Sequence, residues 1–165
     1  MVGTIGVAPN PEAEGISSSV LPGKHGGNMD IPDICPGSTV YLPIFHTGGL
    51  LYIGDAHAIQ GDGEISGTAI EMPAEIEIEV NLLDEKLDWP RIENDSELMC
   101  VATTGQGRSF EDAVRIAFLE LVLLMEKEFG IDRFDGLMLL SQVGKIRVGN
   151  LWAVAAKIDK GYLKK

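Results

Sequence analysis

The sequence predicts an α+β fold: an antiparallel, β-rich, sandwich-like layer with two C-terminal helices packed on one side. Three observations predict it. Residues 1 to about 70 are rich in glycine and proline and hold all three histidines, His25, His46 and His57. A run of strand patterns follows, strictest in AEIEIEVNLL (residues 74–83), where Ile76, Ile78 and Val80 alternate with Glu75, Glu77 and Glu79. Beyond residue 108 the apolar spacing turns helical and histidine is absent. We find no internal repeat.

The elements follow in order. STVYLPIF, Ser38 to Phe45, is β-rich, and Pro43 marks an edge or a bulge. LLYIGD, Leu50 to Asp55, reads as a buried strand that ends in a polar motif. Residues 74–83 read as a half-exposed antiparallel strand whose glutamates form its wet face. SELMCVAT, Ser96 to Thr103, is a further strand. Ser109 followed by Asp112 is a capping-box start, and Val114, Ala117, Phe118, Leu121, Leu124 and Met125 then recur at helical spacing up to a stop at Gly130. A second helix starts at the N-cap Asp132 and runs to about Val143, its Met and Leu stripe facing the core. KIRVGN and LWAVAAKID read as closing strands. A chain of 165 residues is expected to make one domain, with 1–108 β-rich and carrying the polar motifs and 109–165 helix-helix-strand.

Composition narrows the function. The net charge of -12 opposes binding to phosphate backbones or an anionic membrane and suits a small neutral substrate or a cation. Cys35 and Cys100 lie far apart without C-x-x-C spacing, so both are expected to be reduced, buried residues of a cytoplasmic protein. No basic-then-apolar targeting segment is visible at the N-terminus, and no window reaches the ~18 apolar residues of a membrane span.

The chemistry concentrates in two segments. GDAHAIQGDGE, Gly54 to Glu64, carries Asp55, His57, Asp62 and Glu64 between glycines. If the strand continues through Asp55 and His57, both point to one face, and this D-x-H pair suits zinc or another borderline divalent ion. Gly61 and Gly63 bracket Asp62 and allow a tight bend that aims Asp62 and Glu64 beside such an ion, to ligate it or to take a proton from water. The competing reading is a polar turn between strands. HGGNMD, His25 to Asp30, has the same character: His25 and Asp30 are candidate ligands, while Gly26, Gly27 and Asn28 are candidates to polarise a substrate carbonyl. Its competing reading is a plain solvent loop. His46 belongs to a turn.

The chain resembles the acetamidase/formamidase family of amide hydrolases. The resemblance rests on VGTIGVAP, HGGNMDIPD, GSTVYLPIFHTGGLLYIGDAHAIQGDGEISGTAIE, WPRIE and LMLLSQVGKIRVGN, in the family's order. It implies hydrolysis of formamide or acetamide to the acid and ammonia. It further implies a divalent metal (zinc first, calcium or another divalent as the alternative), a sandwich-like fold and homo-oligomers. On this chain it implies a site drawn from His25, Asn28, Asp30, Asp55, His57, Asp62 and Glu64, with Glu64 or Asp62 as base. The family's members are about twice this length, so the chain corresponds to their C-terminal half and is expected to self-associate or to pair with a chain supplying the other half. The stretch after Asn150 is also shorter than the family's. The alternative reading is a non-catalytic metal-binding subunit, or a shortened relative that needs a second chain.

Overall fold

The computed structural model describes residues 1–10, 20–105 and 107–163. Two antiparallel sheets and two helices form three layers, the α+β arrangement expected. The first sheet has the order β2-β1-β4-β5, with β1 Val2–Gly6, β2 Gly26–Asn28, β4 Tyr52–Ile59 and β5 Ile70–Glu71. The second has the order β3-β6-β7-β9-β8, with β3 Thr39–Tyr41, β6 Arg91–Glu93, β7 Glu97–Thr103, β8 Lys145–Val148 and β9 Ala153–Asp159. A 3₁₀ turn, Lys160–Leu163, closes the described chain.

The central strands β7 and β9 are buried on both faces, and the period of two sorts their side chains into two cores. Leu98, Cys100, Ala102, Val154, Ala156 and Ile158 face helix α1 (Phe110–Phe129), meeting Ala113, Ala117, Leu121 and Met125. Met99, Val101, Ala153 and Ala155 face the other way, onto Met29, Ile31 and Ile34, with Val2 and Ile5 of β1 alongside. Helix α1 starts with the expected capping box: the Ser109 hydroxyl accepts from the Asp112 N–H, and the Asp112 carboxylate accepts from the Ser109 N–H. It stops at Gly130, whose φ of 65° closes the helix. Helix α2 (Arg133–Val143), capped by Asp132, packs on α1.

Several local expectations are corrected. The strand expected buried over 50–55 begins at Tyr52 and runs to Ile59, with Leu50, Leu51 and Tyr52 exposed; of the Met and Leu stripe expected to face the core on helix α2, Leu140 is buried while Leu137 and Met138 are exposed. The strand expected over 74–83 pairs with nothing among the described residues. Residues 72–83 run without a turn or bend, and most of both rows stands in water: Ile76 is half-buried, but Ile78, Val80 (69%) and Leu82 (82%) are exposed, and the glutamates are exposed too. Alternation specifies a strand only where a neighbour offers its backbone groups. The strand expected over 38–45 shrinks to Thr39–Tyr41, because Pro43 cannot donate to a ladder. Cys35, expected buried, is exposed in a turn where its N–H donates to Asp33 O and to Ser38 Oγ; Cys100 is buried, and both are free thiols. The first strand, VGTIG, was not foreseen, since two glycines in five residues hide a strand.

Candidate functional site

β4 places Asp55 and His57 together, on the strand continuation expected. The His57 ring is buried, with Nδ1 2.9 Å from Gln60 Oε1 and Nε2 3.1 Å from Asp55 Oδ1 and 3.2 Å from Glu71 Oε2. Glu71 sits directly across the sheet from His57. The Gln60 amide is fixed from behind: its nitrogen donates to the carbonyls of Asp30 (2.5 Å) and Gly149 (3.3 Å). Its oxygen therefore accepts from the ring Nδ1–H. A neutral His57 then turns the lone pair of Nε2 toward two carboxylates, an arrangement that selects a positive charge between them, proton or metal ion. Burial disfavours a charged ring, but Gln60, Asp55 and Glu71 more than offset it, and the imidazole pKa lies above its ordinary value.

A second group shares the same imidazole. Ligand atoms of Asp30, His57 and Glu64 lie within 4.8 Å of one another, as do those of Asp55, His57 and Glu71. Asp30 is fully buried; its Oδ2 accepts from Asn150 Nδ2 at 2.7 Å, while Oδ1 has no partner. Burial pushes the Asp30 carboxyl up, opposed by the Asn150 amide and reinforced by Asp55. Burial, with Asp30 and Asp55 as close negative neighbours, pushes Glu64 up to about 7. Among the described residues no lysine or arginine forms an ion pair with these four carboxylates. The Thr4 hydroxyl lies 2.7 Å from Asn28 Oδ1 and 3.1 Å from Asp55 Oδ2, holding Asp55 in place.

The backbone is strained to build this. Of the described non-glycine residues with positive φ, three are site carboxylates: Asp30 (49°), Asp55 (63°) and Glu64 (41°); the fourth is Leu50. Such conformations cost about 1–3 kcal/mol each and gather at functional sites. Gly3 on β1 leaves the hollow the carboxylates face. A Cβ there would fall against Asp30 Oδ1, 2.6 Å from Asp55 Oδ2 and 2.9 Å from His57 Cε1. A buried oxygen without a partner, a hollow that a methyl group would fill, and one imidazole nitrogen among carboxylate oxygens together fit a divalent metal ion.

The other candidates lie elsewhere. His25 is buried just before β2, its ring over Gly27, and joins neither group. Gly26 and Gly27 have φ of 82° and 92°, and a Cβ on Gly26 would strike Ile5 O at 2.5 Å, so these glycines let β2 approach β1 closely. The Gly26 N–H donates to Gly23 O at 3.0 Å, which occupies the donor suggested for a substrate carbonyl. Asn28 turns its amide oxygen to Thr4. The Asp62 carboxylate is held by Arg147 at 2.9 and 3.2 Å, apart from His57. Residue patterns did not point to Gly3, Thr4, Gln60, Glu71 or Asn150. Gln60 lies inside the D-x-H segment, three residues after His57; Glu71 and Asn150 arrive only through strand register and a distant turn.

Three comparisons with known proteins bear on this geometry. The sequence pattern of the acetamidase/formamidase family matches residues 2–141, and the chain belongs to that family. It is 42% identical to a formamidase of Methylophilus methylotrophus over 88 residues, 53% of this chain and 21% of that protein. It is 44% identical to an acetamidase of Mycolicibacterium smegmatis over 66 residues, 39% of this chain and 16% of that protein. Its structure is similar to that of an acetamidase from Yersinia enterocolitica, with a TM-score of 0.86 and 42% identity, covering 99% of this chain and 49% of that one. An acetamidase from Bacillus halodurans gives a TM-score of 0.86 at 30% identity, covering 98% of this chain and 55% of that one. The chain thus spans about half the length of the solved structures it resembles.

Proposed function

We propose that this chain serves in the hydrolysis of a short linear amide, formamide or acetamide, to the carboxylic acid and ammonia, at a divalent metal site. One observation carries the reading: a buried imidazole nitrogen faces Asp55 and Glu71 while a buried Asp30 oxygen beside it lacks a partner. The names of the relatives supply the substrate class. His57, Asp55 and Glu71 would hold the ion, with Asp30 and Glu64 next to it. Zinc is the proposed metal, since an imidazole nitrogen among carboxylates suits it better than calcium, which takes oxygens alone. When bound, such an ion supplies positive charge that polarises an amide carbonyl and eases the ionisation of water.

The chain's own residues do the rest. Gln60 holds the His57 tautomer, Asn150 and Thr4 orient Asp30 and Asp55, and Gly3, by lacking a side chain, lets Asp30, Asp55 and His57 converge. Glu64 takes a proton from the attacking water and returns it to the departing nitrogen, so that amide and water leave as acid and ammonia. A pKa near neutrality suits both halves of that exchange. We assign the base role to Glu64 rather than Asp62, whose carboxylate is committed to Arg147. Among the described residues no helix is long and apolar enough to cross a membrane. Two free thiols, one exposed, support a reducing, cytoplasmic setting.

Ammonia release from formamide and acetamide, with metal content measured on the same samples, tests the reading. Glu64→Gln is expected to keep its metal and lose about 10²–10⁴-fold in turnover; full activity would remove Glu64 as base. Activity that survives complete chelation would remove the metal. A second reading, that this chain holds the metal but turns over only with another chain, is favoured by the exposure of the site's rim: the Asp55 and Glu71 side chains are 33% and 51% exposed.

A further inference from the structure

We propose that Arg147 is a positioning residue: through Asp62 it holds the turn that carries Glu64 to Asp30 and His57. This deepens the amidase reading. It rests on that reading for what Glu64 does, and on the contacts of the turn alone for how Glu64 is held.

Glu64 reaches the imidazole from an unfavourable backbone. Gly63 and Glu64 follow one another at φ of 89° and 41°. Glycine takes such a value freely, whereas a glutamate keeps it only where its surroundings fix it. Within the turn, the Glu64 N–H donates to Gly61 O at 3.2 Å and the Gly67 N–H to Glu64 O at 2.7 Å. The outside fixing comes from the connection between β8 and β9. The Gly63 N–H donates to Gly149 O at 2.9 Å. One residue earlier, the Asp62 carboxylate accepts from Arg147 Nη1 at 2.9 and 3.2 Å. Two consecutive residues are thus tied to residues 147–149, and Glu64 is the next in the chain.

Arg147 can do this because it is itself held. Its Nε donates to Asp33 Oδ2 at 2.7 Å, and Asp33 Oδ1 accepts from Lys157 Nζ at 2.9 Å. The Asp33 and Lys157 side chains are nearly enclosed. The guanidinium is therefore pinned along its Nε edge and turns Nη1 to Asp62. A planar fork bridges two carboxylates in this way; a lysine ammonium is a single charge on a flexible stem and does not fix both. An exposed ion pair ordinarily gives little, because two side chains must be ordered to make it. Here Arg147 is ordered already, so only Asp62 loses freedom. The same connection reaches the rest of the site: Gly149 O accepts from Gln60 Nε2 at 3.3 Å, and Asn150 Nδ2 donates to Asp30 Oδ2 at 2.7 Å. One turn therefore sets Gln60, Asp30 and, through Asp62, Glu64 relative to one another.

The test uses Asp62→Ala, because Asp62 is exposed and its loss leaves Arg147 on Asp33. Native-state hydrogen exchange on the chain reads the turn. The Gly63 and Glu64 amides should exchange at least ~10-fold faster than in the wild type, with Val101 and Ala155 of the central strands unmoved and the Tm nearly so. Ammonia release reads Glu64: kcat should fall about 10–100-fold with KM unchanged, as misplacement of a reacting group does. Asp62→Asn keeps an oxygen for Arg147 and should recover most of both losses, whereas Arg147→Lys should show them. In a Glu64→Gln background Asp62→Ala should cost nothing further, since residues that act as one unit are not additive. Three results would overturn the proposal: wild-type exchange at Gly63 and Glu64 in Asp62→Ala, a loosened turn with unchanged kcat, or an equal kcat loss when Glu64 is already replaced. A wild-type chain that released no ammonia would count against the amidase reading, and the exchange rates would still decide whether Arg147 holds the turn.

Discussion

The two faces of the five-stranded sheet are built on opposite principles. On the helix side, Leu98, Cys100, Val154 and Ile158 meet Ala117, Leu121 and Met125, and every local signal agrees: period, caps and burial. On the other side, Met99, Val101 and Ala155 meet a smaller apolar core of Met29, Ile31 and Ile34, and beyond it β1, β2, β4, β5 and the turns after them carry close-packed glycines, carboxylates in left-handed backbone, and four acids around one imidazole. The first face contributes stability; the second spends some of it to hold charge in place. Strain and like charge at one end of a small fold are tolerable because the other end is ordinary.

The comparison implies that damage should separate by face. The largest expected effect is on the helix side: Leu121→Ala should cost about 3–5 kcal/mol in chemical denaturation. Zinc affinity of the folded protein, measured below the transition, should stay unchanged. A parallel loss of affinity would show that the two faces are coupled.

Asp33 lies between the faces and tests the border. Its carboxylate is 2.9 Å from Lys157 Nζ and 2.7 Å from Arg147 Nε. Burial raises its pKa, but those two cations more than offset it and hold the group below its ordinary value. Asp33→Asn should cost about 3 kcal/mol near neutral pH, since it leaves half-buried cations short of a partner. A depressed folded pKa contributes stability that is full above the unfolded value near 3.8 and fades as pH falls through the folded one. The gap between wild type and Asp33→Asn should therefore be constant from pH 7 to about 5 and close in more acid solution. A gap that widens with acid would exclude this account.

On the site face the expected losses are of affinity rather than stability. Gln60→Leu frees the His57 tautomer and should weaken zinc binding about 10–100-fold, as outer partners of metal ligands do. Titration against a competing chelator reads this directly, and unchanged affinity would show that Gln60 does not set the ring. The smallest effect belongs to the helix side again. Ser109→Ala removes a cap and should cost about 1 kcal/mol in the urea midpoint, with no change at the metal site.

The sequence by itself determined the helices to within a residue, because caps and a 3.6 period act within one segment: Ser109, Gly130 and Asp132 stand where they were expected. It also determined β7 and β9, whose apolar runs suit a buried sheet, the exposed closing strand β8, and the pairing of Asp55 with His57, which lie two apart on one strand. Tertiary structure decided what depends on neighbours. Residues 74–83 have the best strand pattern in the chain and no strand, because pairing needs a second backbone. Glu71 and Asn150 reach the site through cross-strand register and a turn from the far end of the chain. His25 and Asp62 are residues of the right chemistry that the fold aims elsewhere, His25 over Gly27 and Asp62 onto Arg147. Gly3 shows the limit most plainly: its role is the absence of a side chain, visible only once three other segments surround it.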